Sequence, residues 1–249
     1  MIIEPHQVDK DIVTSADVCV IGSGAGGGVA AAKLAEAGLS VVCLEAGGYY
    51  TSKDFDMTEK NMMPKLYAEK GLRTSNDLSL IILAGSNVGG GTTVNWTMSF
   101  RTPDYVLDEW SRDFKLGGCS PKDMAPSFEE AEKSISARKT ADPHHNWNNK
   151  SLLVGAEKLG HHAYSANRNT VGCQQSGLCS YGCPFDAKKG TLLTYIPRAI
   201  KAGADLYSNC RIGEIVHKNG VFSHVTGTIS DKETGTPKHS IKVTAKVLV

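Results

Sequence analysis

No run of basic residues and no long apolar segment occurs in this chain of 249 residues. The 27 lysines and arginines nearly balance the 26 aspartates and glutamates, so no concentrated positive field is available for a nucleic-acid backbone. No apolar run is long enough to cross a bilayer, and we expect no transmembrane segment. The start, MIIEPHQVDKDIV, has neither the basic nor the apolar region of a signal peptide. The sequence therefore predicts a cytoplasmic protein without a nucleic-acid partner.

The composition is that of an ordinary globular protein, with 41% hydrophobic and 21% charged residues. The length lies at the boundary between one large domain and two. Seven cysteines without a secretory signal indicate reduced thiols or ligands rather than a disulfide framework.

A glycine-rich turn, GSGAGGG, separates a β-prone run at residues 17–21 from an Ala-rich helical stretch that begins at Val29 and ends at Gly38. SVVCLEAGG then supplies a second β-rich run. This order predicts a βαβ unit that opens a parallel sheet.

The turn fits the G-x-G-x-x-G pattern through Gly22, Gly24 and Gly27. The first glycine permits a tight turn, the second lets the backbone approach a pyrophosphate, and the third lets the helix lie close on the strand. Glu45 follows 18 residues after Gly27, at the end of the second strand, where a carboxylate accepts hydrogen bonds from ribose hydroxyls. The pattern predicts an adenosine dinucleotide without a 2′-phosphate, and it does not separate FAD from NAD.

A second glycine cluster lies in AGSNVGGGTTVNW. Gly89, Gly90 and Gly91 remove side chains where the backbone would pass close to a flat ligand. Thr92, Thr93 and Asn95 add short polar groups around it. Taken alone, the cluster is explained equally well by a plain glycine turn with an edge strand behind it.

The remaining segments show weaker patterns. Residues 49–80 are predicted to be irregular with one helix, and residues 138–150 to form a loop. Helices are predicted over 104–114, 121–136, 152–159 and 187–202, the first with Pro103 and Asp104 as its capping signal. From Asp205 onward we expect successive strands with Asn219-Gly220 as a hairpin turn. The last run is apolar up to Val249, and we therefore expect this chain to be a fragment.

The two glycine segments together resemble the N-terminal portion of the glucose-methanol-choline (GMC) oxidoreductases, a family of FAD-dependent alcohol oxidases and dehydrogenases. The resemblance rests on GSGAGGG, GGGTTVNW, FRTP and CSYGCPFDAKKGT, and it extends from residue 16 to 249. The sequences of these motifs are most similar to those of the bacterial and long-chain fatty alcohol oxidase branch. Ser86 departs from the family pattern, which more often has a basic residue or Asn there.

The resemblance implies an α/β fold. Its Rossmann-like FAD-binding domain has a parallel sheet with a βαβ start, inserted pieces of a substrate or cap domain, and additional β-strands. The implied divisions are residues 1–103 as the first FAD-binding part, 104–185 as a helical insertion with the Cys-rich loop, and 186–249 as the second FAD-binding part.

The resemblance also implies residue roles. Gly22, Gly24, Gly27 and Glu45 would hold the ADP half of FAD, and residues 89–95 would lie along the flavin. Ile212, in NCRIGEIV, would contact the adenine through its strand. The implied reaction oxidises the CH–OH group of a small-molecule alcohol by hydride transfer to flavin. Oxygen, a quinone or a cytochrome would then accept the electrons.

The catalytic residues are unknown, because the family's active-site His would lie beyond Val249. The polar-loop and helix-end histidines are interpreted as solvated: His144, His145, His161 and His162. Two alternatives stay open: a truncated FAD-binding module without activity, and an NAD-dependent dehydrogenase that uses only the first glycine loop.

Cys173, Cys179 and Cys183 follow a C-x5-C-x3-C-P spacing. Zinc is disfavoured, because a tetrahedral site needs a fourth ligand and usually shows paired C-x2-C spacings. Three thiolates followed by proline are compatible with an iron-sulfur cluster, and bacterial FAD-dependent glucose dehydrogenases that resemble this segment carry one. A disulfide or a structural thiol turn explains the same residues, and both interpretations stay open here.

Overall fold

The structure is a computed structural model that describes residues 1–141 and 144–249. The chain divides into two compact units, one formed by residues 1–96 with 177–249 and the other by residues 97–176. The divisions expected from the family resemblance, at residues 103 and 185, stay a prediction. Within the described residues, no helix combines the length and apolarity that crossing a membrane requires.

The first unit is built on a seven-stranded sheet in the order β1-β7-β3-β2-β10-β9-β8. Its strands are β1 (Ile2–Ile3), β2 (Ile12–Ile21), β3 (Val41–Leu44), β7 (Asp205–Tyr207), β8 (Cys210–Lys218), β9 (Val221–Ser230) and β10 (Pro237–Leu248). The five strands from β1 to β10 pair in parallel, and β9 and β8 continue the sheet antiparallel. The α/β class with a parallel sheet is therefore confirmed.

The predicted βαβ unit is β2, helix α1 (Ala25–Glu36) and β3, with Val18 opposite Val41 in a parallel register. The strand begins earlier than the predicted residue 17, and the helix begins at Ala25 rather than Val29. Glycines are poor helix formers, costing about 1 kcal/mol each relative to alanine. Tertiary contact overrides this propensity here, because a Cβ at Gly27 would overlap the Gly22 carbonyl oxygen.

Three further helices belong to the first unit: α2 (Glu59–Leu66), α3 (Gly91–Val94) and α7 (Tyr195–Lys201). The irregular stretch 49–80 with one helix is confirmed by α2. The helix predicted over 187–202 is wrong in its first half, where a short 3-10 turn at Thr191–Leu193 precedes α7. Long-range contacts replace helical hydrogen bonds there: the Thr191 N–H donates to the Thr92 hydroxyl at 3.0 Å, and a Cβ at Gly190 would lie 2.6 Å from the Thr92 carbonyl oxygen.

The predicted hairpin joins β8 and β9 through Asn219 and Gly220, which have φ angles of 52° and 78°. Positive φ at both central residues is the requirement of a type I′ turn, and Asn-Gly meets it at the lowest cost. Strand β10 then pairs with β9 on one side and with β2 on the other. Val225, Ile241 and Val243 form part of the buried core beneath these strands.

The described residues of the second unit form a three-stranded antiparallel sheet in the order β4-β6-β5 and three α-helices. The elements are β4 (Met98–Ser99), α4 (Asp104–Arg112), α5 (Pro121–Ser134), β5 (Ala137–Lys139), α6 (Trp147–Lys158) and β6 (Asn167–Asn169). Helices α4 and α5 confirm their predictions, although no side chain caps α4.

The loop predicted over 138–150 is partly wrong, because it contains the end of β5 and the first turn of α6. The amide oxygen of Asn146 accepts a hydrogen bond from the Asn149 N–H, and this cap starts α6 five residues before the predicted residue 152. Asp142 and Pro143, in the same predicted loop, lie outside the described residues.

Candidate functional site

The first glycine loop, residues 22–28, connects β2 to α1. Gly22 has a φ of 94°, which only glycine adopts without strain, and Gly27 lies directly against it. Gly24 occupies the N-cap position of α1, and no side chain caps that helix. The first-turn N–H groups of a twelve-residue helix therefore point to a space that suits an anionic group.

Glu45 follows β3 and is only 6% exposed. Its carboxylate accepts hydrogen bonds from the Ser23 N–H at 2.9 Å, the Ser23 hydroxyl at 2.6 Å and the Gly47 N–H at 2.8 Å. The structure thus brings the predicted acid to the predicted loop. Three donors hold the carboxylate at the end of the strand, next to the turn that would hold phosphates.

The second glycine segment, residues 89–95, packs on the first loop. Gly89 and Gly90 have positive φ angles of 99° and 53°. A Cβ at Gly90 would lie 2.8 Å from the Cα of Gly24, so both segments need glycine to approach each other. Gly91 and Asn95 are exposed, and a Cβ at Gly91 would meet nothing within 4 Å. The two glycine clusters predicted from sequence form one surface.

Two buried hydroxyl residues that sequence reasoning missed join these segments. The Ser23 hydroxyl accepts a hydrogen bond from the Gly89 N–H at 3.1 Å. The Thr191 hydroxyl lies 3.2 Å from the Ser23 carbonyl oxygen and 3.3 Å from the Gly89 carbonyl oxygen, and it contacts the Thr92 hydroxyl at 2.9 Å. Their position within a motif was the sequence signal for both residues: Ser23 lies in GSGAGGG and Thr191 in CSYGCPFDAKKGT.

Lys188 is the third residue that the sequence did not single out. It is 5% exposed, and its ammonium group donates to the carbonyl oxygens of Thr93, Asn95 and Cys179 at 2.6, 2.9 and 2.6 Å. Burial lowers the pKa of Lys188 to about 8. A cation therefore lies beneath the second glycine segment at neutral pH.

Ile212 lies on β8 and is half-buried against the core of the sheet. Its neighbours Arg211 and Gly213 line a cleft of about 480 Å³ that also includes Ala46, the residue after Glu45. The expected adenine contact of this strand stays a prediction.

The three clustered cysteines are free and half-exposed. Cys173 belongs to the second unit, whereas Cys179 and Cys183 belong to the first. Across residues 1–141 and 144–249, no three Cys, His, Asp or Glu side chains are grouped as metal ligands. An iron-sulfur ligand set is thus not shown among the described residues, and the structure contains no disulfide between described cysteines.

The four histidines interpreted as solvated lie at the surface of the second unit. His145 is half-exposed, and the other three, His144, His161 and His162, are exposed.

Comparison with known proteins identifies two family models that match this chain. A family model described as GMC oxidoreductase matches residues 63–249, and one described as an NAD(P)-binding Rossmann-like domain matches residues 20–78. The chain belongs to the GMC oxidoreductase family. The resemblance seen in the two glycine segments is therefore confirmed. The Rossmann-like match begins near the end of β2 and includes the first glycine loop, α1 and β3.

Two relatives in this family are plant enzymes. Long-chain-alcohol oxidase FAO4B of Arabidopsis thaliana is 41% identical over 200 residues, which cover 80% of this chain and 27% of the relative. Long-chain-alcohol oxidase FAO3 of the same plant is 34% identical over 239 residues, covering 94% of this chain and 32% of the relative. The chain thus spans about a third or less of the length of these relatives.

Two solved structures share the fold of this GMC chain. Pyridoxine 4-oxidase from Mesorbium loti superimposes with a TM-score of 0.69 at 14% identity, covering 93% of this chain and 48% of that one. Formate oxidase from Aspergillus oryzae superimposes with a TM-score of 0.64 at 15% identity, covering 97% and 46%. The similarity supports the fold assignment across nearly the whole chain.

Proposed function

We propose that this chain binds FAD and that the protein containing it oxidises the CH–OH group of an alcohol. The single observation that carries the proposal is the hydrogen-bonded connection from Glu45 through Ser23 to Gly89. It joins the carboxylate expected at the ribose, the loop expected at the pyrophosphate and the segment expected at the flavin. One extended ligand with an adenosine end and a flat end fits such a surface.

The ADP half of FAD would lie on the first glycine loop and Glu45. The uncapped start of α1 offers N–H groups and a positive dipole to the pyrophosphate. The cleft beside Ala46, Arg211 and Gly213 leaves room for the adenine next to the strand that carries Ile212. Bound FAD would supply the hydride acceptor, whereas this chain orients the cofactor.

The substrate class is proposed from the relatives. Both plant proteins are long-chain-alcohol oxidases, which favours a long-chain alcohol as substrate and oxygen as electron acceptor. We propose no catalytic base among the residues of the two glycine segments. An iron-sulfur relay is left out of the proposed function, because the described cysteines do not form a ligand set.

An NAD-dependent dehydrogenase remains the second candidate, because the model for NAD(P)-binding Rossmann-like domains matches the first glycine loop. The hypothesis of an NAD-dependent dehydrogenase gives the second glycine segment no role. The close packing of Gly90 on Gly24 argues instead that the two segments serve one ligand.

The test is a comparison of cofactors on the purified protein. We expect retained yellow flavin, or saturable quenching of FAD fluorescence, and no saturable change on titration with NADH. Anaerobic addition of a long-chain primary alcohol should bleach the flavin only where the protein also supplies a catalytic base. Binding of NADH without binding of FAD would overturn the proposal, and FAD binding without bleaching would leave a cofactor-binding module.

A further inference from the structure

Lys188 is a buried cation whose three N–H donors are all used by backbone carbonyl oxygens. Two of these, from Thr93 and Asn95, belong to the second glycine segment, and the third is from Cys179. In the described part of the chain, no carboxylate forms an ion pair with Lys188. The positive charge is thus held by backbone dipoles, and the titratable groups that act on it are the thiols of Cys179 and Cys183.

The Lys188 ammonium group stabilises the C-terminal end of the short helix α3. Helix α3 has four residues, too few to be stable alone, and it ends at Val94. Carbonyl groups at the end of a helix have no partner within it, and a cation stabilises them. Lys188 binds the carbonyls of Thr93 and Asn95 on either side of that end. It therefore fixes the backbone of the segment expected at the flavin.

We propose that Lys188 is a positioning residue of the cofactor site: it fixes residues 93–95 for flavin binding and supplies positive charge that raises the flavin's reduction potential. This inference rests on the proposed function. The charge matters because reduction adds electrons to the ligand, and a buried cation favours the more negative state. Burial and the absence of a carboxylate partner keep this effect from being screened.

The chain offers a matched set of variants. Lys188→Met keeps an unbranched side chain of similar volume but removes the charge and the donors, whereas Lys188→Arg keeps both. Lys189→Met is the control, because the neighbouring Lys189 donates to the Asp186 carbonyl oxygen, outside the second glycine segment. FAD affinity is measured by fluorescence titration, and the reduction potential of bound FAD by equilibration with a reference dye.

We expect Lys188→Met to weaken FAD binding by about tenfold, since hydrogen bonds to charged groups are individually worth that much. The reduction potential should fall in Lys188→Met and stay near the wild-type value in Lys188→Arg and Lys189→Met. Because burial lowers the pKa of Lys188 to about 8, wild-type affinity should decline above that pH. Lys188→Arg should show no such decline, since arginine stays charged.

An unchanged FAD affinity and potential in folded Lys188→Met would overturn the inference. A reduction potential in Lys188→Arg as low as that in Lys188→Met would also overturn it, because the potential would then depend on the shape of the side chain and not on its charge. If Lys188→Met does not fold, Lys188→Gln is measured in its place, and an unchanged FAD affinity and potential in folded Lys188→Gln overturn the inference. Failure of wild type to bind FAD would overturn the proposed function itself.

Discussion

Ser23 donates two hydrogen bonds to one carboxylate oxygen of Glu45, from its N–H at 2.9 Å and its hydroxyl at 2.6 Å. Both residues are buried, so water does not replace either contact. The Ser23 hydroxyl also accepts a hydrogen bond from the Gly89 N–H. This side chain therefore connects Glu45 to the second glycine segment.

Ser23→Ala should therefore weaken both the fold and the cofactor site. We expect the free energy of unfolding to fall by about 1–3 kcal/mol, because a buried carboxylate loses a donor and a buried N–H loses its acceptor. Urea denaturation measures the loss, and FAD titration should show weaker binding. Ser79→Ala is the control, since Ser79 is exposed and its hydroxyl donates to the exposed Asp77 carboxylate rather than to either glycine segment. Equal stability of the two variants would contradict the assigned role of Ser23.

Gly27→Ala and Gly26→Ala should have opposite effects on stability. A Cβ at Gly27 would overlap the Gly22 carbonyl oxygen, whereas a Cβ at Gly26 would meet nothing within 4 Å. Alanine at a free helical position stabilises by about 1 kcal/mol relative to glycine. Thermal unfolding should thus show a lower melting temperature for Gly27→Ala and an equal or higher one for Gly26→Ala. Two similar shifts would mean that the helix does not lie as close to β2 as described.

The parts of the fold that were predicted depend on local signals. Strand β3 with Glu45 at its end follows from a β-rich run and a motif spacing, and the Asn219-Gly220 turn follows from the dihedral angles those residues tolerate. Gly22, Gly27, Gly89 and Gly90 were predicted for the same reason, because each marks a place where the backbone turns with a positive φ or approaches another segment closely.

The contacts that organise the site were not predictable, because they join residues far apart in sequence. Ser23 and Gly89 are separated by 66 positions, Thr191 and Gly89 by 102, and Lys188 and Thr93 by 95. Serine, threonine and lysine occur throughout the surface, so no pattern distinguishes the buried ones. The same long-range packing replaces the first half of the helix predicted over 187–202. In that half, Lys188 and Gly190 contact the second glycine segment.

The pH dependence of stability should carry the signature of Lys188. Its pKa in the folded chain is about 8, below the ordinary lysine value of 10.5, so the unfolded chain binds more protons between these two pH values. The contribution of this group to folding stability is constant below pH 8 and rises from about pH 8 to 10.5, by up to about 3 kcal/mol. Urea denaturation without cofactor, at pH 7.5 and 10, should show this rise in wild type and lose it in Lys188→Met. A wild-type slope identical to that of Lys188→Met would contradict the described burial.

The seven cysteines should separate into two classes on thiol titration. Cys19, Cys43 and Cys210 are buried, and burial raises the pKa of Cys19 to about 11 and that of Cys210 to about 12. The other four are half-exposed and free: Cys119, Cys173, Cys179 and Cys183. An accessible thiolate attacks the disulfide bond of a thiol reagent and releases the reagent's other thiolate. The reagent should therefore modify the four half-exposed thiols in the native protein and the buried three only after unfolding.

The same titration decides between the alternatives for the Cys-rich loop. Four reactive thiols in protein purified without reductant would leave a loop of free thiols, as the structure shows. Two reactive thiols that become four after reduction would indicate a disulfide formed in solution. One reactive thiol, with stoichiometric iron and an electron paramagnetic resonance signal, would indicate a cluster on Cys173, Cys179 and Cys183.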